Sequence, residues 1–213
     1  MLKKDHMHSK TRFAAIPFLA AALLQSTAAL AGGPLGIDHR WNDDNSGIWS
    51  RSNQKLLEYG SVLFTLGFAT WEGGEDRLGR TAWQSVDSLV FSATIANVAK
   101  PVFGRERPTQ TSDPNEWRKG GHSFPSGEVA TISGIVTPYV LEYGRDQPAV
   151  WALELLPAYD AVARMKVRAH WQTDVLAGFA IGTASGYYAH TRDSPLILGW
   201  MPHGIMVGLK KKF

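Results

Sequence analysis

Asp174-Val-Leu-Ala-Gly-Phe-Ala-Ile-Gly-Thr-Ala-Ser-Gly-Tyr-Tyr-Ala-His190 is a run of helical length in which Val175, Phe179 and Ile181 recur at helix-like spacing. Four earlier segments share that character, at residues 55–70, 81–99, 127–143 and 149–165, and the second repeats the spacing in Leu89, Ile95 and Val98. The connectors hold turn formers, as in Glu72-Gly73-Gly74-Glu75-Asp76 and Ser112-Asp113-Pro114-Asn115. The pattern predicts an all-α fold, a compact helical bundle of about five core helices. After them, Ile205, Val207 and Leu209 alternate over the tail Gly204–Phe213, which predicts one short strand or a basic tail.

A chain of 213 residues suits one domain with a sizeable core. Hydrophobic residues make up 44% and charged residues 19%, with eight Trp, which excludes a disordered chain. The formal charge of +3 would suit a nucleic-acid partner, but its location argues otherwise. Lys3, Lys4, Lys10 and Arg12 precede the first apolar run with only Asp5 against them, leaving 18 basic and 18 acidic residues after residue 31. No nucleic-acid partner is therefore expected.

That basic start, the apolar run from Phe13 to Leu24 and the small-x-small site Ala29-Leu30-Ala31 read as a cleavable signal peptide over residues 1–31. The expectation is a periplasmic or envelope-associated protein. Residues 32–54, rich in Gly, Asn, Asp and Ser, read as a loop-rich mature N-terminus, and residues 55–213 as the helical domain with a short C-terminal tail. Glu58, Asp87, Glu142, Glu154 and Asp160 interrupt or border the apolar segments, and mean hydropathy is −0.16. Both favour a soluble or peripherally membrane-bound bundle over a multispanning one. The absence of cysteine excludes disulfides, zinc–thiolate sites and thiol catalysis.

Three segments carry polar chemistry. Lys100-Pro-Val-Phe-Gly-Arg-Glu-Arg107-Pro108 sets a Lys at a helix end and an Arg seven residues on, and a guanidinium can grip two oxygens of an anion at once. Gly120-Gly-His122-Ser-Phe-Pro-Ser126-Gly127-Glu128 opens an apolar run, so its free backbone N–H groups can face an anion, although ordinary N-capping by Ser126 fits equally well. Arg164-Met-Lys-Val-Arg-Ala-His170-Trp-Gln-Thr-Asp174 spaces His170 and Asp174 four residues apart. One helical turn would let the carboxylate accept from one imidazole nitrogen and leave the other as an unprotonated nucleophile. A structural hydrogen bond would look the same.

Taken together, Lys-x6-Arg-Pro, Pro-Ser-Gly-x and Arg-x5-His-x3-Asp resemble the three-part motif of the type-2 phosphatidic acid phosphatase and vanadium haloperoxidase superfamily, which includes bacterial acid phosphatases and membrane lipid phosphatases. The run from His170 to Gly178 resembles the third motif through its flanks as well. The resemblance spans Lys100 to Gly178, and the helical pattern extends it to about residues 55–190. It implies a phosphate site at helix ends, with His170 attacking phosphorus and Asp174 orienting it. Lys100, Arg107 and Arg164 would bind the oxygens, with Ser126 and the Gly127 amide completing the cradle. No metal and no cofactor are implied.

The implied enzyme is a metal-independent phosphatase that hydrolyses phosphomonoesters or lipid (di)phosphates through a phosphohistidine in the bacterial envelope. Its partner would be a phosphorylated small molecule or lipid phosphate, with peripheral membrane contact. Two positions depart from the pattern. Ala163 replaces a Ser before the Arg, and Glu128 replaces the His that in the family protonates the leaving oxygen. The proton donor is then expected to be Glu128, in its protonated state and with an acidic optimum, or His122. The alternatives are a vanadate-dependent haloperoxidase-like enzyme and a non-catalytic phosphate-binding envelope protein.

Overall fold

The computed structural model describes residues 32–192 and the backbone of two strands, β1 (Leu196–Met201) and β2 (Gly204–Leu209). Its body is five α-helices: α1 (Arg51–Glu72), α2 (Arg77–Phe103), α3 (Gly127–Tyr143), α4 (Leu155–Lys166) and α5 (Gln172–His190). The expected signal peptide, residues 1–31, lies outside the described residues.

Local chemistry explains the helix limits. Asp76 caps α2 by accepting from the Gly79 N–H at 2.7 Å, and Gly104 ends that helix in the left-handed conformation, φ 52°, which glycine adopts without strain. α1 begins one turn earlier than the spacing predicts, because the Ser50 hydroxyl accepts from the Asn53 N–H and so caps a helix that starts at Arg51. The residue 149–165 segment divides into a 3-10 stretch, Pro148–Glu154, and α4. α2 runs on to Phe103, which seats Lys100 within its last turn. The alternating tail is a strand: β2 pairs antiparallel with β1, Leu196 opposite Leu209.

α3 is the central helix, buried throughout residues 129–138 and packed on α2, α4 and α5. Its approach to α5 is close because Gly178, Gly182 and Gly186 form a side-chain-free stripe on α5. A Cβ at these positions would lie 2.5, 2.4 and 2.5 Å from Ser126 O, Ala130 O and Thr137 Cβ. Buried apolar side chains gather in two small clusters, one of Leu89, Ile135 and Val136 and one of Ala69, Ala82 and Val86.

The polarity of α1 is inverted relative to a helix of a water-soluble bundle. It buries Gln54, Thr65 and Ala69, while Leu63, Phe64 and Trp71 are 69%, 67% and 81% exposed. Val98 and Val102 of α2 are exposed as well. Among the described residues, no helix is long and apolar enough to cross a membrane.

Candidate active site

One cavity of about 390 Å3 opens among the helix ends. Lys100 enters from the last turn of α2, Arg107 from the following loop, Gly127 and Glu128 from the first turn of α3, Arg164 from the last turn of α4, and His170 from the turn before α5. Six of the eight residues singled out in the sequence thus share one wall. The remaining two, Ser126 and Asp174, are buried next to it, with the Ser126 N–H donating to the Asp174 carbonyl at 3.0 Å.

His170 does not sit on a helical turn with Asp174. It precedes α5, and its Nδ1 lies 2.7 Å from the Ser123 carbonyl oxygen, against 3.6 Å from Asp174 Oδ2. A carbonyl oxygen can only accept, so Nδ1 carries the hydrogen and Nε2 keeps its lone pair. Burial drives the imidazole pKa down to about 4, with the Arg164 and Lys100 charges adding to the fall and Asp174 opposing it. At neutral pH the ring is therefore uncharged, the state a nucleophile needs.

Asp174 is an anchor as much as a counter-charge. Its Oδ2 accepts from the Trp171 N–H at 2.8 Å and the Ser123 hydroxyl at 2.5 Å, and its Oδ1 from Arg105 Nη1 at 2.6 Å. It thereby caps α5 and holds the His170 turn against the 120–128 loop. Burial would raise this carboxyl, but the His170, Arg105 and Ser123 contacts outweigh it and keep it below the ordinary carboxylate range.

The cations differ in what they already hold. Lys100 Nζ donates to Pro125 O at 2.8 Å and His122 O at 3.2 Å, leaving one of its three protons for a ligand. Burial, with the Arg107 charge beside it, lowers this ammonium to about 8. Arg164 Nη1 donates to Gln54 Oε1 at 3.0 Å and is 3.4 Å from Glu128 Oε1. Among the described residues, the Arg107 guanidinium has no hydrogen-bond or ion-pair partner. The Ser126 hydroxyl is likewise buried and unpartnered, and it does not cap α3 despite its N-cap position.

Glu128 is engaged in a way its sequence position does not reveal. Arg51, at the start of α1, donates to both of its oxygens, Nη1 to Oε2 at 2.6 Å and Nη2 to Oε1 at 2.5 Å. Burial works to raise the Glu128 carboxyl, but these bonds and the Arg164 and Arg51 charges prevail and hold it below its ordinary value. An acid must be protonated to donate, and this environment stabilises the opposite state. The expected proton donor is thus an ionised partner of Arg51. His122 is exposed and is not part of the cavity wall.

Sequence reasoning missed four participants. Arg105, fully buried, joins the site to two distant segments: Nη2 bonds Asp38 Oδ2 at 2.6 Å and Nη1 bonds Thr173 Oγ1 at 2.8 Å besides Asp174. Its guanidinium also lies 4.4 Å from the centre of the Trp117 ring. Arg51, Gln54 and Glu58 share one face of α1, at the i, i+3, i+7 positions, and line or buttress the site. The sequence reading places Arg51 and Gln54 in a loop; the Ser50 cap that makes them helical is the available signal. Away from Lys100 along α2 the lining passes Asn97 and becomes apolar at Ala93 and Leu89, and Tyr59 and Val62 of α1 line the cavity as well.

The chain is similar to several known proteins. A lipid A 1-phosphatase of Porphyromonas gingivalis is 29% identical over 135 residues, 62% of this chain and 28% of that protein. A lipid A 1-phosphatase of Rhizobium johnstonii is 31% identical over 102 residues, 45% of this chain and 41% of that protein. The chain spans less than half the length of the curated relatives it matches. The crystal structure of Aquifex aeolicus LpxE aligns at 21% identity and a TM-score of 0.37, covering 65% of this chain and 92% of that one. The family model described as the PAP2 superfamily matches residues 81–195, more than half of the sequence and all three polar segments, and the chain belongs to that superfamily.

Proposed function

We propose that this protein is a metal-independent phosphatase of lipid phosphates, working through a phosphohistidine at His170 in the bacterial envelope. The observation that carries the reading is a neutral, buried His170, its Nδ1 hydrogen committed to Ser123, in the wall of a cavity that also holds Lys100, Arg107 and Arg164. Three cations neutralise a phosphate dianion and the charge that builds on its equatorial oxygens during transfer. The Gly127 amide at the start of α3 and the Ser126 hydroxyl supply uncharged donors. Asp174 and Ser123 hold the imidazole by Nδ1, so Nε2 attacks phosphorus, and the Asp174 charge stabilises the imidazolium that results. Water then hydrolyses the N–P bond.

The substrate class rests on three supports. The relatives named above are lipid A phosphatases. The cavity pairs its cations with an apolar end, which suits a phosphate attached to an acylated body. The outward apolar face of α1 suits peripheral contact with the membrane that presents such a substrate. Export rests on the N-terminal 31 residues alone.

The test is hydrolysis of lipid A, phosphatidic acid in mixed micelles and p-nitrophenyl phosphate by the full chain and by His170→Ala. The wild type is expected to release phosphate from a lipid substrate with a higher kcat/KM than from p-nitrophenyl phosphate, and His170→Ala to be inactive on all. Turnover surviving in His170→Ala would overturn the mechanism. Equal or better turnover of the soluble ester would overturn the lipid assignment.

A further inference from the structure

We infer that Glu58 of α1 is the general acid that protonates the leaving oxygen, in place of the residue at the second-motif position. The inference rests on the hydrolytic reading of this site. It starts from a deficit: the leaving alkoxide needs a proton, and Glu128, bound through both oxygens to Arg51, has none to give.

The titratable side chains of the cavity wall are Glu58, Tyr59, Lys100, Glu128 and His170. His170 is the nucleophile, Glu128 is ionised, and Lys100 is tethered to Pro125 and His122 as a phosphate-binding cation. Tyr59 is 57% exposed and belongs to the apolar end. Glu58 is left.

Its position along α1 fits the role. Seven residues before it on the same face, about 10 Å along the axis, Arg51 holds Glu128 of the charged wall; four residues after it, about 6 Å on, Val62 is among the apolar lining residues. Glu58 therefore stands at the junction of the two regions, where the ester oxygen joins phosphate to its organic group.

The surroundings favour the protonated form of Glu58. Burial raises this carboxyl above its ordinary value, and the ionised Glu128 of α3 raises it further, while Arg51 and Lys55 of α1 and Arg164 of α4 pull the other way. Asp160 of α4 also interacts with it electrostatically. The Arg51–Glu128 pair thus has a use: it fixes a negative charge that helps a neighbouring carboxyl stay protonated.

The step balances. Nε2 of His170 bonds to phosphorus as the P–O ester bond breaks, and the bond's electron pair stays on the leaving oxygen, which takes the Glu58 proton and departs as the alcohol. The Glu58 carboxylate next accepts a proton from the water that attacks phosphorus. The N–P bond breaks, its electrons return to Nε2, and phosphate leaves with the enzyme restored.

The test compares phenyl phosphate, whose leaving group needs protonation, with p-nitrophenyl phosphate, whose leaving group needs it far less, for wild type, Glu58→Gln, Glu58→Asp and Glu128→Gln. Glu58→Gln is expected to lose on the order of 100-fold in kcat/KM on phenyl phosphate and less than tenfold on p-nitrophenyl phosphate. Its alkaline limb should move up to that of Lys100, about 8. Glu58→Asp, which keeps an acid, should recover part of the phenyl phosphate rate. Equal losses on the two esters, an unmoved alkaline limb, or a leaving-group-selective loss in Glu128→Gln instead would overturn the assignment.

Misfolding of Glu58→Gln, read by circular dichroism, would transfer the decision to the folded Glu58→Asp. There a leaving-group-selective loss supports the role and a uniform one overturns it. Trapping of phosphohistidine separates the two levels of the argument. A phosphoenzyme with a leaving-group-blind Glu58→Gln overturns the Glu58 role alone, and no phosphoenzyme in the wild type overturns the hydrolytic reading with it.

Discussion

Asp160→Asn should stabilise the protein strongly at alkaline pH and hardly at all in acid. Asp160 lies in α4 with no exposed surface, and neither carboxylate oxygen has a hydrogen-bond partner among the described residues. Burial, with repulsion from Glu128 and Glu58, lifts its pKa from 3.8 to about 7, against the attraction of Arg164 and Arg51. The unfolded chain releases this proton near 3.8, whereas the folded one holds it to about 7. Between those values the native state binds more protons, so stability falls as pH rises through the window and the loss is complete above it. A shift of about 3 units corresponds to about 4 kcal/mol. Asn keeps the shape without the charge, so the variant should match wild type near pH 4 and exceed it by up to about 4 kcal/mol near pH 8, on the order of 10 °C in Tm. Urea denaturation followed by Trp fluorescence at both pH values reads the difference directly. A variant no more stable than wild type near pH 8, or one offset equally at both, would refute the claim that the native fold carries an uncompensated carboxylate there.

Four other outcomes follow from the geometry. Arg105→Met should cost about 3–5 kcal/mol in urea denaturation, since it strips the buried Asp38 and Asp174 of their shared cation; a cost under about 1 kcal/mol would mean they are solvated or protonated. Because burial holds His170 near pKa 4, kcat/KM should stay high as pH falls through 6 and drop only near 4, where the imidazole gains the proton that blocks attack; a loss centred near 6.5 would place the nucleophile in water. Gly182→Ala should destabilise by about 1–3 kcal/mol by pressing a methyl onto Ala130 O of α3. In contrast, Gly60→Ala, with open space on α1, should stabilise by roughly 0.5–1 kcal/mol. Differential scanning calorimetry of that pair isolates close helix approach from intrinsic propensity.

The helices were legible in the sequence because each apolar run exceeds any strand and its connectors carry Gly, Pro and Asp. Their starts were less so. Ser50 moves α1 forward by a turn, and Pro148 opens the 3-10 stretch that delays α4, and both effects are local chemistry that periodicity ignores. Six residues around the cavity were legible because each lies in a short ordered segment. The i, i+4 spacing of His170 and Asp174 does not form a helical turn: the structure uses a helix cap and hands the Nδ1 bond to Ser123, with Asp174 Oδ2 3.6 Å away. Arg51 with Glu128, and Asp38 with Arg105, are pairs 77 and 67 residues apart. Contacts at that range leave no periodic trace in a single sequence, so the ionised state of Glu128 was hidden by the same distance.

The Arg105 guanidinium takes one carboxylate from the segment before α1, another from the first turn of α5, and a carbonyl, that of Pro114, from between α2 and α3. Three stretches that leave the ribosome far apart in time must therefore meet before the Asp174 carboxylate beside His170 is fixed. A nascent or partly unfolded chain has His170 and the cations but not their alignment. On the proposed mechanism, turnover would report completed tertiary structure, and a substitution that loosens residue 38 should lower it as surely as one in the cavity wall.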